Sequence, residues 1–245
     1  MFSPEGPSLR ELAVQALSSV EHGYDLLAPK FDHTPFRTPE AVLESVATAL
    51  APLGPFEDGL DLCCGTGAGT QVLTRVCGAG VTGLDFSAGM LDIARRRVPS
   101  GPGTGGPGVA WVRGDARVLP FTAAFDLVVS FGAFGHFLPR ELPGLFAQVH
   151  SALRPGGRFA FPVLAPPRPS SPAFWALLGF DTVMRLRNAV WRPPFVMYYR
   201  AFRLGGVLEE LERAGFAVEL YALPEFGSRE DGSPRARLVS ARRPG

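Results

Sequence analysis

Leu60-Asp61-Leu62-Cys63-Cys64-Gly65-Thr66-Gly67-Ala68-Gly69-Thr70 is an apolar strand that runs straight into a glycine-rich turn and opens a helix. Eighteen residues past Gly67, at the end of a second apolar run over 81–84, stands Asp85. Glycines let a backbone approach a ligand closely, and the helix N-terminus beyond them offers partial positive charge. A carboxylate at the tip of the neighbouring strand is placed to accept hydrogen bonds from both hydroxyls of a ribose. The pair points to a nucleoside-containing cofactor.

Outward from that stretch, strands and helices alternate. Short apolar runs lie at 59–64, 80–85, 109–113, 125–131 and 157–163, with helical spacing at 68–77, 87–98 and 139–153. Parallel strands need crossover connections, so this rhythm implies a doubly wound, mostly parallel sheet with helices on both faces. Upstream, Leu9, Leu12, Ala13, Ala16, Leu17 and Val20 form one amphipathic helix, and Val42, Leu43, Val46, Ala47 and Leu50 another, with Pro39 suited to its first turn. Residues 24–32 read as an aromatic and charged connector between them. Residues 99–108, almost wholly Gly and Pro, read as a mobile surface loop. The rhythm breaks at 164–203, a proline-rich opening followed by Phe174, Trp175, Phe180, Trp191, Phe195, Tyr198, Tyr199 and Phe202. A helix at 205–214 and strands at 216–222 and 235–241, joined through Asp231-Gly232, close the chain as an antiparallel pair.

The dinucleotide fingerprint G-x-G-x-x-G places its third glycine where this chain has Thr70, which argues against a nicotinamide oxidoreductase. The whole motif set points elsewhere. Asp61-x-x-x-Gly65-x-Gly67, Gly83-Leu84-Asp85-Phe86-Ser87-x-x-Met90-Leu91 and Gly114-Asp115-Ala116 occur in order. Leu119-Pro120-Phe121, 125–130 and Leu153-Arg154-Pro155-Gly156-Gly157-Arg158-Phe159 follow. Together they resemble the class I S-adenosylmethionine-dependent methyltransferases over residues 58–163. The resemblance implies a Rossmann-like α/β fold whose seven-stranded sheet has an antiparallel last strand, and S-adenosyl-L-methionine as cofactor with S-adenosyl-L-homocysteine as product. It also implies individual roles. Gly65 and Gly67 pass beside the methionine part, and Asp61 holds the turn or meets the cofactor amino group. Asp85 takes the ribose, while Gly114, Asp115 and Ala116 meet the adenine. Phe86 and Met90 wall the ring, and Ser130 and Phe131 lie beside the reaction centre. Cys63 stands where the family usually has glycine, a small residue still. Tyr24-x-x-x-Ala28-x-x-Phe31-Asp32 resembles the N-terminal lid of small-molecule methyltransferases, whose tyrosine approaches the cofactor. One domain then divides into a helical lid (1–57), a cofactor-binding core (58–163), a substrate-cap insertion (164–203) and a C-terminal helix with a strand pair (204–245).

His136, six residues past Ser130, is a candidate general base at the ligand-binding edge of the sheet; packing or shaping the acceptor site is the competing role. Methyl transfer from a sulfonium needs chiefly in-line alignment. Eight aromatics in the insertion suit a flat or apolar small-molecule acceptor, or else anchor the insertion. Arg185, Arg187, Arg192, Arg200 and Arg203, with Arg235, Arg237, Arg242 and Arg243, keep open an RNA or protein acceptor. A non-catalytic cofactor-binding domain is a further alternative. A net charge of +1 gives no overall case for a nucleic-acid partner. Cys63, Cys64 and Cys77 make neither a zinc pattern nor a disulfide framework, so no metal is expected. No apolar run reaches the length of a membrane span, and a cytoplasmic location is expected.

Overall fold

The short apolar runs pair into one sheet. In the computed structural model, which describes residues 5–34, 36–98, 106–198 and 203–245, seven strands stand in the order β3-β2-β1-β4-β5-β7-β6. They are β1 (Phe56–Leu62), β2 (Cys77–Asp85), β3 (Gly108–Arg113), β4 (Phe125–Val129), β5 (Leu153–Leu164), β6 (Ala217–Ala222) and β7 (Ala236–Arg242). The first five run parallel, and β7 inserts antiparallel between β5 and β6, as expected. The strand order reverses between β1 and β4, which opens a crevice outside their carboxyl ends. In-register pairing of Asp61 with Gly83 and with Val129 brings the ends of β1, β2 and β4 to that one edge.

Alternation along the buried strands sends successive side chains to opposite layers. Leu60, Leu62, Val128, Phe159 and Phe161 meet α6 (Leu142–Ala152) and α8 (Leu204–Arg213). Leu127, Val129, Ala160 and Leu238 face the other way, onto α3 (Glu40–Leu50) and α4 (Ala68–Val76). The crossover helix between β2 and β3, α5 (Ala88–Arg97), starts at Ser87, whose hydroxyl caps the Met90 N–H.

Three readings change. The N-terminal periodicity is two helices, α1 (Leu9–Leu17) and α2 (Val20–Leu27), because Ser18 turns extended and Ser19 caps a new start. The expected connector at 24–32 is therefore helical, continuing as a 3₁₀ turn over Ala28–His33. Pro39 is the N-cap residue of α3 and not in its first turn. The insertion contains a 19-residue helix, α7 (Pro172–Val190), entered through the Ser171 cap. Residues 99–105 of the Gly/Pro loop, and Tyr199, Arg200 and Phe202, lie outside the described residues.

Phe146 is fully buried, its ring 6.2 Å from that of Phe159. Phe146→Ala is expected to cost about 3–5 kcal/mol, read as a lower urea midpoint at unchanged slope.

Candidate functional site

The turn after β1 needs backbone that most residues avoid. Cys63, Gly65 and Gly67 all have positive φ, at 60°, 51° and 87°. A Cβ at Gly65 would meet nothing within 4 Å, whereas one at Gly67 would press on Val98, Ala94 and Trp111. Gly69, in the first turn of α4, sits so close beneath the strand end that a Cβ would lie 2.6 Å from an Asp61 carboxylate oxygen. The helix can therefore approach the strand only with glycine there.

Two buried carboxylates face this turn. Asp85 accepts from the Gly65 N–H (2.9 Å) with one oxygen and from the Ser87 N–H (2.9 Å) with the other. Burial pushes its carboxyl up to about 6 against the pull of those donors. Asp61 accepts from the Thr70 hydroxyl (2.9 Å), and burial raises it to about 7, with the charge of Asp85 adding to the rise.

The N-terminal helices are latched over this edge. Asp25 of α2 accepts from the Ser87 hydroxyl (2.6 Å) and from the Gly89 N–H (2.9 Å) at the start of α5, where a helix dipole favours an anion. Asp32 accepts from the Thr66 hydroxyl (2.8 Å) inside the glycine turn and pairs with Arg97 (2.5 Å). Glu21 pairs with Arg113 (2.6 Å) at the end of β3.

Beneath the latch, the Tyr24 hydroxyl lies 2.7 Å from His136 Nε2. The other ring nitrogen, Nδ1, is 2.7 Å from the Val196 carbonyl, which can only accept, so Nδ1 carries the proton. Desolvation holds the imidazole pKa below its ordinary value, so the ring is neutral near pH 7 and its Nε2 lone pair faces the tyrosine. Phe31 and Phe195 flank the Tyr24 ring at centroid distances of 6.1 and 6.3 Å. The pair is a proton acceptor with a hydroxyl in front of it, set among apolar rings.

With this geometry in view, the likenesses to known proteins fall into place. Residues 60–157 match the family described as methyltransferase domain. A methyltransferase of Synechocystis, itself uncharacterised, is 39% identical over 57% of this chain and 61% of its own length. A 2-phytyl-1,4-naphtoquinone methyltransferase of Nostoc punctiforme is 36% identical over 65% of this chain and 71% of its own. The chain belongs to the class I S-adenosylmethionine-dependent methyltransferase family. A solved S-adenosylmethionine-dependent methyltransferase from Mesorhizobium loti is 27% identical, with TM-score 0.56 over 83% of this chain and 98% of that one. The chain spans less than two thirds of the first curated relatives it matches, 61%, 37% and 48% of their lengths.

The residues expected at the methyltransferase site fall into three groups. Tyr24, Asp61, Gly65, Gly67, Asp85 and His136 gather around the edge described above. Ser130 and Phe131 follow β4; the Ser130 hydroxyl is spent on the Leu62 carbonyl (2.9 Å), and the Phe131 ring rests against Gly69. Met90 and Ala116 are buried, Phe86 is partly exposed, and a Cβ at Gly114 would touch Leu84. The Asp115 carboxylate is about half exposed and engaged with the Arg117 N–H (2.9 Å) and guanidinium (3.3 Å). Cys63 is partly buried, and burial with nearby carboxylates pushes its thiol far up, away from nucleophilic use. No His/Cys/Asp/Glu cluster able to hold a metal occurs among the described residues. Several arginines of the basic clusters are occupied internally: Arg187 on the Ser18 and Pro193 carbonyls, Arg235 on Ser228, Arg243 on His150 and Leu153. The sequence reading passed over Asp25, Thr66, Gly69, Arg97 and Val196. Only Gly69 carried a local signal, as the third of three alternating glycines.

The buried acids give a pH signature. Asp61 and Asp85 titrate near 3.8 when unfolded and at about 7 and about 6 when folded, so the folded chain holds more protons between those values. The stability they contribute is complete below about pH 4 and is lost as the pH rises through their folded pKa values. Asp61→Asn keeps an acceptor for Thr70 and removes the Asp61 share. Urea titrations of the two cofactor-free proteins are expected to show the variant gaining on the wild type from about pH 4 to about pH 7; a constant difference would contradict the assignment.

Proposed function

We propose that this chain transfers a methyl group from S-adenosylmethionine to a small, apolar acceptor that bears a weakly acidic hydroxyl or an adjacent activated carbon, as a phenol or quinol does. The observation that carries the reading is the 2.7 Å contact between Tyr24 and the neutral His136 at the ligand edge of the sheet. The Nostoc relative, named for a naphtoquinone substrate, supports the acceptor class. Internal use of Arg187, Arg235 and Arg243 speaks against a phosphate-gripping surface for RNA.

The cofactor-side residues fit an adenosyl ligand. A buried carboxylate raised to about 6 is short of donors, which two ribose hydroxyls would supply to Asp85. The open space at Gly65 leaves room for the backbone to pass a ligand, and Asp61 lies near for a ligand ammonium, directly or through water. Gly114, Asp115, Ala116, Phe86 and Met90 are assigned to the adenine side, and Cys63, Ser130 and Phe131 to the methionine side. When bound, the cofactor supplies a methyl group on a sulfonium, already a good leaving group.

The protein's remaining tasks are alignment, exclusion of water and removal of one proton. The latch through Asp25 and Asp32 closes the crevice, and the Phe31 and Phe195 rings keep the acceptor side dry. Tyr24 takes the acceptor proton as it passes its own to His136 Nε2, while Nδ1 stays bonded to Val196 and holds the ring in line.

Incubation with methyl-labelled S-adenosylmethionine and a panel of phenols, quinols, RNA and protein tests this. Label is expected on a small acceptor, and label on RNA or protein alone would overturn it. Tyr24→Phe and His136→Asn are each expected to lower kcat by about 10²–10⁴ with S-adenosylhomocysteine affinity kept. By calorimetry, Asp85→Asn is expected to weaken S-adenosylhomocysteine by about 1–3 kcal/mol.

A further inference from the structure

α7 is apolar nearly all round, and such helices are ordinarily buried. Here only Asp181 and Met184 are buried. Five of the eleven exposed large apolar side chains among the described residues belong to this helix and the residue that ends it: Trp175, Val183, Leu186, Val190 and Trp191. Each is at least half exposed, Val190 to 84%. At 3.6 residues per turn, positions 175, 183, 186 and 190 fall within about a quarter of the helix circumference. Met184 lies on the opposite side, where it packs with Phe195 and Tyr198 against Tyr24. The stripe is thus unpartnered, continuous and directed away from the body of the protein. Leu17, about half exposed, extends it at one end, where the Trp191 indole donates to the Leu17 carbonyl (3.2 Å).

We infer that this face of α7 docks on the surface of a bilayer containing anionic lipid. Charge argues for lipid. Arg192, exposed just past the end of α7, is positive, Arg185 is turned inward with its guanidinium over the Tyr198 ring (4.4 Å), and the helix's one acid, Asp181, is buried on the far side. An apolar stripe with indoles at both ends, a basic residue at its end and no exposed acid is the pattern of a helix lying in the interface plane, the indoles at headgroup depth. It does not cross: no helix among the described residues is long and apolar enough. Pairing of two copies through the stripe would bring Arg192 of each to the interface with no exposed acid on the helix to offset it. Docked this way, the bilayer lies about one helix diameter, roughly 10 Å, from Tyr24 on the inner side of α7. An apolar acceptor can then pass from lipid to the site without crossing water. The docking itself requires nothing of the acceptor's identity.

The test mixes the full chain with vesicles of phosphatidylcholine alone and with added phosphatidylglycerol, and reads co-sedimentation and tryptophan emission. Binding is expected to the anionic vesicles, with a blue shift arising from Trp175 and Trp191. Leu186→Ser combined with Val190→Ser is expected to weaken partitioning by more than about tenfold. Its melting temperature should hold, since both side chains are exposed. Arg192→Gln is expected to cost about fivefold on anionic vesicles at low salt and little on neutral ones. The proposal is overturned if the wild type stays in the supernatant at low salt, or if the serine variant binds as well as the wild type. It is equally overturned if sedimentation shows a wild-type dimer that the serine variant dissociates, which would make the stripe a subunit interface.

Discussion

The carboxylate of Asp85 holds the ligand edge together. One oxygen takes the Gly65 N–H of the turn after β1 and the other takes the Ser87 N–H before α5, so one side chain joins two neighbouring βα units. A buried charge is expensive unless it is hydrogen-bonded, and helix-start N–H groups are expensive unless they find acceptors. Each deficit here satisfies the other. The positive φ of Cys63 turns the chain just ahead of the Gly65 N–H, and those of Gly65 and Gly67 carry it on from there into α4. Gly69 cannot bear a side chain, since the helix that follows must pass directly under Asp61.

The lid, the cap and the core meet at Tyr24. Its hydroxyl reaches back to His136 on the 3₁₀ turn (Ala133–His136) after β4, and its ring packs against Phe195 from the insertion. The insertion in turn orients the imidazole, because the carbonyl that fixes the proton on Nδ1 belongs to Val196. Three stretches of chain far apart in sequence thereby build one proton-handling pair. Neither the lid nor the insertion could be redesigned without altering it.

Much of the core was legible because its signals are local. Short apolar runs between helical stretches marked the strands, glycines at 65 and 67 marked the turn, and Asp231-Gly232 marked the closing strand pair. What escaped depended on competition or distance. Ser18-Ser19 sits inside a run of helical spacing, and only the capping by Ser19 shows that the backbone restarts there. α7 has apolar residues on every side and a proline-rich approach, so no periodicity announced it. Tyr24 and His136 were each noticed singly, but their contact spans 112 positions and has no trace in spacing. Asp25 and Asp32 belong to a stretch legible only as an aromatic and charged connector with the look of a lid; they accept from backbone and hydroxyl donors of the crevice, contacts that sequence spacing does not encode.

The chain has 24 basic residues, and Lys30 is the one lysine among them. It lies on the 3₁₀ turn between Asp25 and Asp32, its ammonium paired with Glu11 at 2.7 Å and still partly open to solvent. The chain therefore carries a single side-chain amine, and carries it on the turn whose Asp32 is latched to Thr66 and Arg97. With the α-amine blocked first, an amine-reactive dye attached there senses that latch from the native sequence, with no engineered handle.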